Sequence, residues 1–110
     1  MKILIIKLGA LGDVLRTTPL LTALKVKYPS SHITWVVDKP HLEVLEGNAW
    51  IDRLLDSSAA TAERLKKEHF DLAVNLDKEP QATAFLQSAG ADKKWVLSVM
   101  PPARWPPQMF

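Results

Sequence analysis

Asp13 closes the stretch Lys7-Leu8-Gly9-Ala10-Leu11-Gly12-Asp13, where two glycines precede a carboxylate at the start of an amphipathic run. A carboxylate so placed can do two kinds of work. It can cap free amides in a helix's first turn and favour the helix dipole, or it can act as a general base toward a bound hydroxyl. The second role carries a condition, because the dipole lowers the acid's pKa and only partial burial beneath a substrate raises it again. Gly9 and Gly12 permit either a close approach of backbone to ligand or a plain strand-to-helix turn.

Other chemistries find less support. A dinucleotide fingerprint needs glycine at its first, third and sixth positions, but counting from Gly9 the third is Leu11 and the sixth Val14. Asp38, at the end of an apolar run, stands where a ribose-binding acid would lie, so a nucleotide site using Gly9 to Gly12 and Asp38 is a weaker alternative. No Gly-Lys-Ser/Thr is present to make a Walker loop. His32, His41 and His69 show no ligand spacing, and no metal site is expected. Trp35 and Trp50 read as core or interdomain packing rather than sugar-stacking platforms.

Strands and helices must bring these residues together. Lys2 to Lys7 (KILIIK) is apolar without alternation, as in a strand covered on both faces. From Asp13 the period changes, and Val14, Thr17, Leu21, Leu24 and Tyr28 fall on one stripe of a helix that ends near Pro29. Pro19 inside it removes an amide proton from the Leu15 carbonyl, predicting a kink or 3₁₀ turn. Further along, His32 to Val37 reads as a strand, Pro40 to Glu46 as a short helix, Gly47-Asn48 as a break and Ile51 to Leu55 as a weaker strand. Ala59 to His69 then reads as a helix, Asp71 to Leu76 as a buried strand, Gln81 to Ser88 as a helix and Lys94 to Val99 as a last strand. Such alternation predicts an α/β, Rossmann-like, mostly parallel sheet with helices on both faces. Ligands of such sheets lie beyond the carboxyl ends of the strands, where strand order reverses. The loops Leu8 to Asp13, Asp38 to Pro40 and Asp77 to Pro80 should gather there.

The chain's 110 residues suit one domain, expected over residues 1–99, and a net charge of +2 is too small to argue for nucleic acid as a partner. No cysteine is present, so packing rather than disulfides must hold the fold. The first apolar run is too short for a signal peptide or a membrane span. The tail over residues 100–110 holds four of the chain's eight prolines and no periodicity, so it is expected to be extended or disordered.

Three blocks carry a family resemblance. They are Lys7-Leu-Gly-Ala-Leu-Gly-Asp-Val-Leu-Arg-Thr-Thr-Pro-Leu-Leu21, His32-Ile-Thr-Trp-Val-Val-Asp38 and Asp71-Leu-Ala-Val-Asn-Leu-Asp-Lys-Glu-Pro80. Together they resemble the ADP-heptose:lipopolysaccharide heptosyltransferase family, over residues 1 to about 94. The resemblance implies an inverting glycosyltransferase of the B type, with two Rossmann-like halves facing each other across a cleft. It also implies that the N-terminal half binds the lipopolysaccharide-core acceptor and the C-terminal half the nucleotide-sugar donor, with no cofactor. Carried onto this chain, it makes Asp13 the general base. Gly9 and Gly12 would leave room for substrate, and Lys7 and Arg16 would meet anionic acceptor groups. Lys78 and Glu79 would be acceptor contacts at the same edge. It further implies a cytoplasmic enzyme working at the inner face of the inner membrane through lipid-anchored acceptors.

The departure from the family is at the far end. A complete enzyme would be roughly three times as long, so the donor half is missing here and the tail from Trp95 onward does not continue the pattern. The chain therefore reads as an N-terminal fragment, either shortened or frame-altered, that transfers no sugar alone. The alternative is a standalone Rossmann-like binding module without catalysis.

Overall fold

The computed structural model describes residues 1–9, 11–97 and 104; for residues 11–18 it describes the helical backbone and not the side chains. Its elements alternate: β1 (Lys2–Ile6), α1 (Leu11–Lys27), β2 (His32–Val37), a 3₁₀ turn (Lys39–His41), α2 (Leu42–Leu45), β3 (Arg53–Asp56), α3 (Ala59–Lys66), β4 (His69–Asn75), α4 (Pro80–Ser88) and β5 (Gly90–Val96). The sheet order is β3-β2-β1-β4-β5, and every pairing is parallel. The chain steps from β1 out to β3, then returns to β4 on the other side of β1. Strand order thus reverses between β1 and β4, the place where a doubly wound sheet opens a crevice.

The unalternating run Ile3–Ile6 is buried because both faces of β1 are covered. Ile3 and Ile5 join Trp35 and Val74 beneath Leu20, Leu21 and Leu24 of α1 and Leu45 of α2. Leu4 and Ile6 point the other way, with Val36 and Phe70, onto Leu65 of α3 and Phe85 and Leu86 of α4. Each such side chain withdrawn from water stabilises the fold by about 1.5–3 kcal/mol. The α/β, two-faced parallel sheet expected from the sequence is the one observed.

Element boundaries shift where polar residues take structural roles. Asp52 accepts from Ile33 N–H at 2.7 Å and from Lys25 Nζ at 2.8 Å, so it ties the approach to β3, which begins at Arg53 and not at Ile51. The helix expected to reach His69 stops at Lys66, since Phe70 belongs to the second core and β4 pairs with β5 from His69 onward. β5 begins at Gly90 rather than Lys94, its charged stretch Asp92–Lys94 lying exposed on an edge strand. Pro19 does not break α1 with a 3₁₀ turn: it lies on the exposed side, where water can serve the Leu15 carbonyl. The expected tail over residues 100–110, apart from Arg104, falls outside the described residues.

Trp35 is fully buried, as expected, and its Nε1 donates to the Lys7 carbonyl at 3.3 Å. Trp50 is not core. It is 45% exposed, because its amide donates to Asn48 Oδ1 and holds the turn before β3 outside the sheet.

Arg53 at the start of β3 grips Glu68 with both terminal nitrogens, at 2.9 and 2.8 Å, and its Nε donates to Thr34 Oγ1. The hydrogen bonds from Arg53 hold the Glu68 carboxyl below its usual range. Glu68→Gln, which keeps shape and removes charge, should cost about 1–2 kcal/mol in urea denaturation. An unchanged denaturation midpoint would show that this bidentate pair contributes nothing.

Candidate functional site

The carboxyl ends of β1, β2, β3 and β4 meet at one rim, and polar residues fasten them there. Past β1, the Leu8 and Gly9 amides have lost their strand partners. Both donate to a single oxygen, Asp77 Oδ2, at 2.9 and 3.2 Å. Asp77 lies just beyond β4, so this carboxylate bridges the crevice between β1 and β4. The ammonium of Lys7 stands 3.7 Å from the same oxygen.

Asp77 is itself held from behind. Its amide donates to Asn75 Oδ1 at 2.8 Å, and its Oδ1 accepts from the Glu79 amide at 3.0 Å. The side chain is only 6% exposed. Burial acts to raise its pKa, yet the amides of Glu79, Gly9 and Leu8 together with the Lys7 charge outweigh burial and leave it below the usual carboxylate range. It is an anion at neutral pH.

On the other side of the Gly9 loop stands Asp38. Its amide donates to the Leu8 carbonyl at 2.8 Å, and its Oδ1 accepts from Ser57 Oγ at 2.6 Å. A Cβ built on Gly9 would lie 3.3 Å from Asp38 Oδ2, so a side chain here would press on that carboxylate. The glycine serves this close approach.

The sequence-predicted residues fall into three groups. Lys7 and Gly9 lie at the rim, but Lys7 is buried and already faces Asp77 before any ligand arrives. Lys78 and Glu79 are exposed on the neighbouring loop, free to meet a ligand from solvent. Gly12, Asp13 and Arg16 sit in the first turns of α1, directly past the Gly9 loop, and their side chains lie outside the described residues. Asp77 was named only as the start of a loop. Its signal was Asn75, a polar residue inside the apolar run Asp71 to Leu76, poised to fold the following backbone into an Asx turn.

Solved structures share this fold. An E. coli heptosyltransferase WaaC with ADP superposes with a TM-score of 0.75 at 24% identity, over 86% of this chain and 34% of that one. A glycosyl transferase of family 9 from Veillonella parvula gives a TM-score of 0.75 at 30% identity, over 84% of this chain and 30% of that one. E. coli ADP-heptose lps heptosyltransferase II gives 0.77 at 19% identity, over 87% and 30%. The chain has the fold of a heptosyltransferase lobe. It spans about a third of the length of the solved structures it matches. No protein-family model matches the chain, and no curated protein matches it in sequence. Among the described residues, no helix is long and apolar enough to cross a membrane.

Proposed function

We propose that this chain is the acceptor-side lobe of an inverting glycosyltransferase that moves heptose from ADP-heptose to the lipopolysaccharide inner core. In this reading Asp13 takes the proton from an acceptor hydroxyl while that oxygen attacks the anomeric carbon. The carbon's bond to the diphosphate oxygen breaks on the opposite face, and ADP leaves with the bonding pair, its charge met by a second lobe. The 110 residues by themselves then transfer no sugar. The acceptors are lipid-anchored, so the lobe works at the cytoplasmic face of the inner membrane.

The observation that carries the acceptor side over a nucleotide side is the fate of the first amides after β1. In a nucleotide-binding lobe such amides face phosphate; here Leu8 and Gly9 both face Asp77. Asp38, the one acid suited to a ribose, has Ser57 on one oxygen and the Gly9 loop against the other.

Calorimetric titration of the 110-residue chain with ADP and with NAD tests the assignment. Neither should bind saturably at micromolar concentration. Saturable micromolar binding of either one would overturn the acceptor-side reading in favour of a nucleotide-binding domain.

A further inference from the structure

We infer that Asp77 is a specificity-determining residue of this rim: its carboxylate fills the seat a phosphate would take at the amides after β1, so the rim admits sugar hydroxyls and refuses phosphate there. The use assigned to that refusal rests on the acceptor-side reading, while the geometry does not. An anion seat after the first strand of a doubly wound sheet consists of unpaired backbone amides with positive charge nearby. All of those parts are present. The Leu8 and Gly9 amides converge on one point, and the Lys7 ammonium stands beside it. What occupies the point is an oxygen of the chain itself.

Two features make the occupant permanent. The Asn75 side chain fixes the Asp77 backbone and the Glu79 amide holds its second oxygen, so the carboxylate cannot swing out without giving up the Glu79 amide along with those of Leu8 and Gly9. The second feature is repulsion. The Asp38 carboxylate lies against the Gly9 loop on the β2 side, so a phosphate approaching the amides would meet like charge from Asp38 as well as Asp77. Among the described residues, Lys7 is the cation facing the seat, and it sits within reach of Asp77.

The test uses the full 110-residue chain, labelled with ¹⁵N and titrated with inorganic phosphate. In the wild type the Leu8 and Gly9 amide resonances should stay unmoved. In Asp77→Ala the same two amides should shift saturably, with phosphate affinity raised about tenfold or more, ~1.4 kcal/mol. Saturable shifts in the wild type would overturn the inference, as would a folded Asp77→Ala chain that gains no phosphate binding. If Asp77→Ala does not fold, hydrogen exchange of the wild type decides: slow exchange at Leu8 and Gly9, which have no strand partner, supports the filled seat, and exchange at free-peptide rates refutes it. A phosphate-binding Asp77→Ala alongside a rim that ignores core oligosaccharide would leave this inference standing and sink the acceptor reading alone.

Discussion

Asp77→Ala is expected to destabilise the domain by about 3–5 kcal/mol, because it leaves a buried ammonium and three amides, those of Leu8, Gly9 and Glu79, without the carboxylate they face. The loss should exceed that of Glu68→Gln, whose ion pair is more open to water. Urea denaturation at neutral pH reads the difference, and a cost under ~1 kcal/mol would show that water replaces the carboxylate freely. The pH dependence provides a second check. The folded pKa of Asp77 is lowered, so its contribution is fully present above the unfolded value, ~3.9, and is lost as pH falls through the folded value. The gap between wild type and Asp77→Ala should therefore be constant from neutral pH down to about 4 and close below it. Asp52, Asp56 and Glu68 are shifted the same way, so both proteins lose stability in this range, and only their difference reports on Asp77.

In a protein where this lobe faces a donor lobe, Asp13→Asn should lower kcat by about 10²–10⁴, the ordinary contribution of a general base. Acceptor affinity should be nearly unchanged, since the amide keeps the size of the carboxylate. The competing role for Asp13 makes a different forecast. Asparagine caps a helix as well as aspartate, so a purely structural role for Asp13 shows only in the charge lost from the helix's first turn, about 0.3–1 kcal/mol of stability, and leaves kcat intact. Steady-state kinetics paired with thermal denaturation separates the two: a fall in kcat without a fall in melting temperature supports the base, and the reverse supports the cap.

The sheet was legible because both faces of its central strands are covered. Ile3–Ile6 is an unbroken apolar run and Ile33–Val37 is interrupted only by the buried Thr34, a pattern that a two-faced parallel sheet requires. β5 was half-hidden, since an edge strand needs no such run, and the expected strand began only at Lys94, four residues after the observed start at Gly90. Trp50 does not join the core, because size alone does not show that a turn holds an aromatic ring outside the sheet. The positions of Gly9, Lys78 and Glu79 at one rim follow from strand–loop–helix order and could be anticipated. Asp77 could not be ranked, because its importance comes from Leu8 and Gly9, distant in sequence, whose amides turn toward it only once β4 lies beside β1. Lys7 illustrates the same limit: it reads as a charge offered to ligand, and folding brings it within reach of an internal partner.

The claim on which the rest depends is that the carboxyl-end rim receives the sugar acceptor. It is tested most directly by titrating the ¹⁵N-labelled chain with inner-core oligosaccharide and mapping the shifted amides. The account predicts shifts gathered at Gly9, Asp13, Asp38, Lys78 and Glu79, with the opposite edge around Met1, Tyr28 and Asp71 silent. Shifts gathered at that opposite edge, or none at all at saturating oligosaccharide, would contradict it.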